Sequence, residues 1–171
     1  TGNRIPDIVC FVNGLPLVVI EAKRPDSNKD GKSTNAEAIS QHIRNQGQAE
    51  IPHLYAYSQL LLAVNGHEGL YATCGTPEKF WAKWKEEQIP EAEFVRLKNH
   101  KLSDEQIDGL FNHRPAKTKD DYLSLVAAGD LTLTDQDRLI VSLLRPERLV
   151  NMTRLFPLFD KKAGKIVARS Q

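Results

Sequence analysis

Cysteine is scarce in this chain, and the little there is lies scattered. Only Cys10 and Cys74 occur, far apart and without a C-x-x-C, which excludes a disulfide framework and a zinc–thiolate site and reads as two reduced structural residues of a cytosolic protein. Long apolar runs are missing, and no charged-then-apolar leader opens the chain, so membrane and export readings drop out. An excess of one charge is missing as well. The formal net charge is +1, so no global basic field announces a polyanion, and any nucleic-acid contact must rest on local clusters. His42, His53, His67, His100 and His113 are spread without H-x-x-x-H spacing, and G-x-S-x-G is absent, which removes the common zinc-helix and serine-nucleophile chemistries. There is no internal repeat and no low-complexity run. What remains is ordinary globular composition, 40% hydrophobic and 26% charged, in a chain long enough for one buried core.

Against that background the first hairpin stands out. Arg4-Ile5-Pro6-Asp7-Ile8-Val9 is followed by Leu17-Val18-Val19-Ile20-Glu21-Ala22-Lys23. Side chains alternate along a strand, so Glu21 and Lys23 share a face, while Leu17 to Ile20 is apolar on both faces and reads as a buried central strand. Whether Asp7 joins the charged pair depends on the turn. A three-residue loop of Asn13, Gly14 and Leu15 pairs Val12 with Pro16 and sets Asp7 opposite Glu21, with Cβ atoms about 5 Å apart. A two-residue type I′ turn at Asn13-Gly14 sets Asp7 opposite Ile20 and turns Glu21 to the other face, unless a bulge restores the register.

The string resembles a known family. Pro6-Asp7 followed by Glu21-Ala22-Lys23 is similar to the P-D…(D/E)-x-K nuclease motif. The flanking Arg-Ile-Pro-Asp-Ile-Val and Phe-Val-Asn-Gly-Leu-Pro-Leu-Val-Val-Ile-Glu-Ala-Lys resemble the form it takes in the restriction (motor) subunit of type I restriction-modification enzymes. Similar support continues at Gln59 to Gly66 and from Leu143 to Asp160, so the resemblance spans nearly the whole chain. It implies a restriction-endonuclease-like α/β core, with a mixed central sheet flanked by helices and then a mainly helical C-terminal segment. Residues 1–100 are read as the endonuclease core and 101–171 as a helical extension and linker toward an ATP-dependent translocase, with a helical lead-in expected ahead of Thr1. It also implies a cytoplasmic protein that cuts duplex DNA without sequence recognition of its own. Its expected partners are double-stranded DNA and the modification and specificity subunits, with ATP serving only the motor domains.

The residue types suit that chemistry. Phosphodiester hydrolysis needs an activated water and stabilisation of charge in the transition state, both of which Mg²⁺ supplies while accepting hard oxygens, with Mn²⁺ as a substitute. Asp7 and Glu21 are the candidate ligands, the resemblance adds the carbonyl of Ala22, and Lys23 is a compact cation that can orient water or meet developing charge. The bland alternative is a surface Glu–Lys pair at a strand end. A helix signature follows, with Thr34 and Glu37 as a capping box and an end near Ala49. Family relatives often carry Q-x-x-x-Y there. Gln41 takes the Gln position, while Asn45 stands where the Tyr would be. Gln41, Asn45, Arg44 and Gln48 share a polar face opposite Ile39 and Ile43, able to touch phosphates or position the metal; for Arg44 a solvated surface is the reading.

Arg24, Lys29 and Lys32 form a basic edge weakened by Asp26 and Asp30, and are read as a surface loop. Asp30-Gly31-Lys32-Ser33 resembles the end of a Walker A loop, but Asp26 replaces its opening glycine, so no ATP site is expected here. Further on, the pattern predicts strands at Leu60–Val64 and Leu70–Thr73. It predicts a short helix from Pro77 carrying Phe80, Trp81 and Trp84 on one face. Helices follow near Ser103, at Tyr122–Ala128, Thr134–Leu144 and Pro146–Leu155, and a final hairpin closes the chain. Two rival functions remain: a stand-alone nuclease for branched or flapped DNA, and a catalytically silent docking module of a DNA-processing complex.

Overall fold

The computed structural model describes residues 4–25, 34–86, 88–129, 131–155, 157–160 and 164–167. Four strands, β1 (Ile8–Val12), β2 (Leu15–Ala22), β3 (Leu60–Val64) and β4 (Gly69–Ala72), form one mixed sheet in the order β1-β2-β3-β4. β1/β2 and β3/β4 are antiparallel, and β2/β3 are parallel. Parallel neighbours require a crossover, which α1 (Thr34–Asn45) and α2 (Pro52–Tyr57) provide. The fold is thus α/β, as the sequence predicts.

The apolar runs of β2 and β3 explain why these two strands are central. Val18, Val19, Leu61, Leu62 and Ala63 have no solvent exposure, as expected of strands covered on both faces. One face packs Val18, Ile20, Leu60, Leu62 and Val64 against Leu139, Leu143 and Leu149. The last three lie on α6 (Asp135–Leu143) and α7 (Pro146–Leu155). The other face packs Val19, Leu61 and Ala63 against Ala38, Ile39, Tyr55 and Trp81. Each buried leucine contributes about 2 kcal/mol by removal from water.

Two compact units result, Thr1–Glu86 with Thr134–Gln171, and Glu87–Leu133. The segment read as one helical extension therefore divides, because α6 and α7 belong with the sheet. Thr134 and Asp137 cap α6 reciprocally, the Gln136 side chain accepts from Gly66 N–H at 2.6 Å, and the Gln136 N–H donates to the His67 carbonyl at 3.1 Å. These bonds dock the start of α6 on the β3–β4 turn. The second unit holds α3 (Glu91–Lys98), α4 (Asp104–Phe111) and α5 (Ala116–Ala128). Its α4 starts with the expected Ser103–Gln106 capping box, and Phe111 and Tyr122 stack with ring centroids 5.3 Å apart.

Three local expectations are corrected. α1 ends at Asn45 rather than near Ala49, and Pro52 opens a further helix, α2, at its first turn. Thr34 lies inside α1, where its hydroxyl accepts from the Asn65 side chain at 2.9 Å instead of capping. The predicted aromatic helix after Pro77 shrinks to a 3-10 turn at Glu78–Phe80, after which Ala82 bridges Tyr71 of β4. Trp81 and Trp84, three apart on extended backbone, consequently face opposite sides of the sheet: Trp81 joins the α1 side and Trp84 the α6 side, while Phe80 stays half exposed. Trp81 is buried and Trp84 partly buried against the core. A final pair, β5 (Pro157–Asp160) and β6 (Gly164–Val167), forms the expected hairpin.

Candidate active site

The register of the first hairpin is decided by two features together. Asn13 (φ 49°) and Gly14 (φ 79°) both occupy the left-handed region, so the connection is the two-residue turn, with Val12 opposite Leu15. Alone, that turn would send Glu21 to the wrong face. A bulge intervenes: Phe11 pairs with Pro16 but Cys10 pairs with Val18, leaving Leu17 as the extra residue, and Ile8 then opposes Ile20. Asp7, one residue before β1, comes level with Glu21.

Asp7 closes that end of the hairpin with its side chain, its Oδ2 accepting the Ala22 N–H at 2.8 Å. On the far edge of β2 the Lys23 N–H donates to the Val64 carbonyl at 2.8 Å, extending the parallel ladder. Successive residues along β2 are therefore pinned on alternate edges. A residue's N–H and C=O leave a strand on the same side, so the Ala22 carbonyl shares the edge where Asp7 sits.

Glu21 is only 2% exposed as a residue, and the pKa of its carboxyl is pushed up to about 7. Burial is the main cause, followed by the negative charge of Asp7 and a hydrogen bond between the two carboxyl groups, while Lys23 and Arg44 oppose the shift. Burial and the neighbouring negative charge favour the protonated form of Glu21, and a divalent cation can replace that proton. The ammonium of Lys23 lies 3.9 Å from the Glu37 carboxylate on α1, with its side chain 15% exposed. It is held near the mouth of the site while its partner Glu37 is largely in water.

α1 supplies the floor. Gln41 keeps Oε1 buried with no hydrogen-bond partner among the described residues, a spare acceptor that a water in the site can fill. One turn of inward-facing residues carries His42, fully buried between Trp81 (ring centroids 5.3 Å apart) and Tyr55. Its Nε2 is 2.9 Å from the Leu62 carbonyl. A carbonyl only accepts, so the proton is on Nε2, and Nδ1 accepts from the Tyr55 hydroxyl at 3.3 Å. Burial lowers the His42 pKa to about 4, so the ring is neutral and serves as a packed, hydrogen-bonded core residue. Tyr55 also hydrogen-bonds Asn45 and feels the charge of Glu21, and burial raises its pKa to about 12.

Asp7, Glu21, Ala22 and Lys23 thus gather at one end of β2, with Gln41 on the helix that packs over the same face. The expected polar face of α1 splits: Asn45 turns into the core, Ile43 turns out to solvent, and Arg44 is exposed. The reason is that α1 buries Ala38, Ile39, His42 and Asn45 against the sheet, a stripe that includes two polar residues. Tyr55 carried no sequence signal as a neighbour of the site. The loop residues Asp26, Lys29, Asp30, Gly31, Lys32 and Ser33 lie outside the described residues. Among the described residues no three His, Cys, Asp or Glu side chains cluster to hold a metal, so the available donors are two carboxylates and a backbone oxygen. That all-oxygen, partly filled set fits Mg²⁺, which keeps several waters.

Comparison with known proteins bears on these same residues. Residues 1–80 match the family described as the type I restriction enzyme R protein N terminus. The chain is 30% identical over 169 residues, 98% of its length, to the type I restriction enzyme HindI endonuclease subunit of Haemophilus influenzae, of which it covers 12%. It is 29% identical over 169 residues, 96% of its length, to a protein of Methanocaldococcus jannaschii described as the type I restriction enzyme MjaIXP endonuclease subunit, of which it covers 13%. No solved structure matches the chain. The described helices include none long and apolar enough to cross a membrane.

Proposed function

With residues 1–80 belonging to the type I restriction enzyme R protein N-terminal family, we propose that this chain is the Mg²⁺-dependent endonuclease part of such a subunit, hydrolysing phosphodiester bonds of duplex DNA. The observation that carries the reading is the bulge that brings Asp7 level with Glu21 while Lys23 stays on the Glu21 face. Without it the three motif residues would not converge.

Asp7 and Glu21, with the Ala22 carbonyl, are the residues to hold the cation, and Mn²⁺ suits the same oxygens. When bound, Mg²⁺ supplies an activated water and neutralises charge on the phosphoryl oxygens. The protein's own part is positional. The Asp7–Ala22 bond fixes one carboxylate, burial fixes the other, Gln41 offers an acceptor to a water, and Lys23 presents a cation to the developing charge. The rest of the proposal concerns the longer protein: a cytoplasmic assembly with modification and specificity subunits, an ATP-driven motor outside these residues, and cleavage without sequence recognition by this part.

Plasmid cleavage by the purified chain with Mg²⁺ or Mn²⁺ tests it, beside Glu21→Ala and Lys23→Ala whose folding is verified by circular dichroism. Activity in the wild type and loss in both variants supports the assignment. Activity that survives both variants overturns it, and silence of all three moves the same test to the full assembly with ATP.

A further inference from the structure

Arg44 was the residue on α1 with the least claim from sequence, and the fold changes its standing. Glu37, Gln41 and Arg44 are spaced i, i+4, i+7 and so share one helix face that rises about 10 Å, the axial length of about three nucleotides of one strand. The Lys23–Glu37 contact at 3.9 Å anchors the first of these beside the candidate site. At the other end the Arg44 guanidinium lies near enough to favour ionisation of both Glu21 and Glu50.

Arg44 is exposed, and among the described residues it makes no ion pair. Glu50, an acid that feels its charge, is already engaged bidentately by Arg4, at 2.6 and 3.0 Å. A guanidinium whose donors are free, held on a regular helix near the buried Glu21, is suited to a phosphate by its fork geometry. Lys23 and Arg44 then present cations at the two ends of the face that Gln41 occupies, an arrangement that tracks a sugar-phosphate backbone across the acids.

We propose that Arg44 is a DNA-backbone contact of this site, binding a phosphate next to the one that is cut. This rests on the nuclease reading above and adds a binding residue to it.

The test is fluorescence anisotropy of a labelled duplex with the purified chain, with Ca²⁺ in place of Mg²⁺, over a series of KCl concentrations. One lost phosphate contact lowers the magnitude of the log–log salt slope by about 0.9, equivalent to about a 3.5-fold smaller loss of affinity between 50 and 200 mM salt. Arg44→Ala and Arg44→Gln are expected to show that change and several-fold weaker binding at low salt, and Arg44→Lys to retain the slope. Cleavage by Arg44→Ala is expected to show a raised KM with kcat within about twofold. The Tm of the metal-free protein is expected to stay near the wild-type value in all three, because Arg44 is exposed, which separates a phosphate contact from a structural role. If Arg44→Ala and Arg44→Gln bind with the wild-type slope and affinity, the inference is overturned while the nuclease reading stands. If the wild type neither binds nor cuts duplex DNA, as the purified chain or in the full assembly with ATP, both fall.

Discussion

The Asp7 carboxylate accepts the backbone N–H of Ala22 at 2.8 Å, so one side chain both ends the β1–β2 pairing and stands beside Glu21. A carboxylate used in this way is fixed by the backbone it touches. Asp7→Asn keeps an oxygen acceptor for Ala22 but removes the charge that helps hold Glu21 protonated. The Glu21 pKa is expected to fall below about 7 yet stay above the ordinary carboxylate value, because burial is the larger cause. Side-chain carboxyl NMR titration reads this directly, and an unchanged Glu21 titration in Asp7→Asn would contradict the coupling.

The metal-free protein is expected to have a nearly flat stability profile across mildly acidic pH, for a reason that single variants expose. His42 titrates near 6.5 when unfolded and about 4 when folded, so the unfolded state takes up the extra proton and stability falls as pH drops through that window. Glu21 has the opposite sign: between 4.5 and about 7 the folded state keeps a proton the unfolded state has lost, and stability falls as pH rises. Each contributes about 3 kcal/mol, and the windows overlap. Urea unfolding in EDTA should therefore show Glu21→Gln gaining stability from pH 4 to 6.5 and His42→Leu losing it from pH 4.5 to 7. Parallel profiles for wild type and both variants would refute the pairing.

Divalent cations are expected to stabilise the chain, since an ion that binds the folded carboxylate pair and not the unfolded chain shifts unfolding by mass action, about 2.7 kcal/mol at one hundred times Kd. Because the ion must displace the proton on Glu21, affinity for Mn²⁺ is expected to strengthen as pH rises toward 8. Calorimetric titration at pH 6 and pH 8, with Glu21→Ala as the silent control, checks both points. Equal affinity at the two pH values would count against displacement of the Glu21 proton.

Gly69 begins β4 directly beneath α6, and a Cβ placed there would overlap the Leu139 side chain. Gly69→Ala is expected to destabilise the sheet unit by about 1–3 kcal/mol through overpacking. Guanidinium unfolding measures the loss. A neutral Gly69→Ala would mean that α6 can move away from the sheet at little cost.

Much of the fold was legible because its signals are local. Leu60–Val64 is a strand with the predicted ends, since five successive apolar residues before Asn65-Gly66 suit little else. Capping at Ser103 and the start of α7 at Pro146 were likewise readable. The errors fall where one residue serves two readings. Pro52 ends one helix pattern and opens another, and the aromatic spacing at Trp81 and Trp84 fits a helix face as well as two faces of an extended segment.

The site divides in the same way. Residue identity and spacing placed Glu21 and Lys23 on one strand face and marked Asp7 as their candidate partner, because strand alternation is a property of the chain alone. The sequence by itself could not choose the register, since the Asn13-Gly14 turn and the bulge at Leu17 act in opposition and only cross-strand pairing resolves them. Nor could it place Tyr55 against His42, or bring the charge of Arg44 near enough to act on Glu21. Those relationships arise between elements distant in the chain, and packing α1 and α2 on the sheet, not any local preference, decided them.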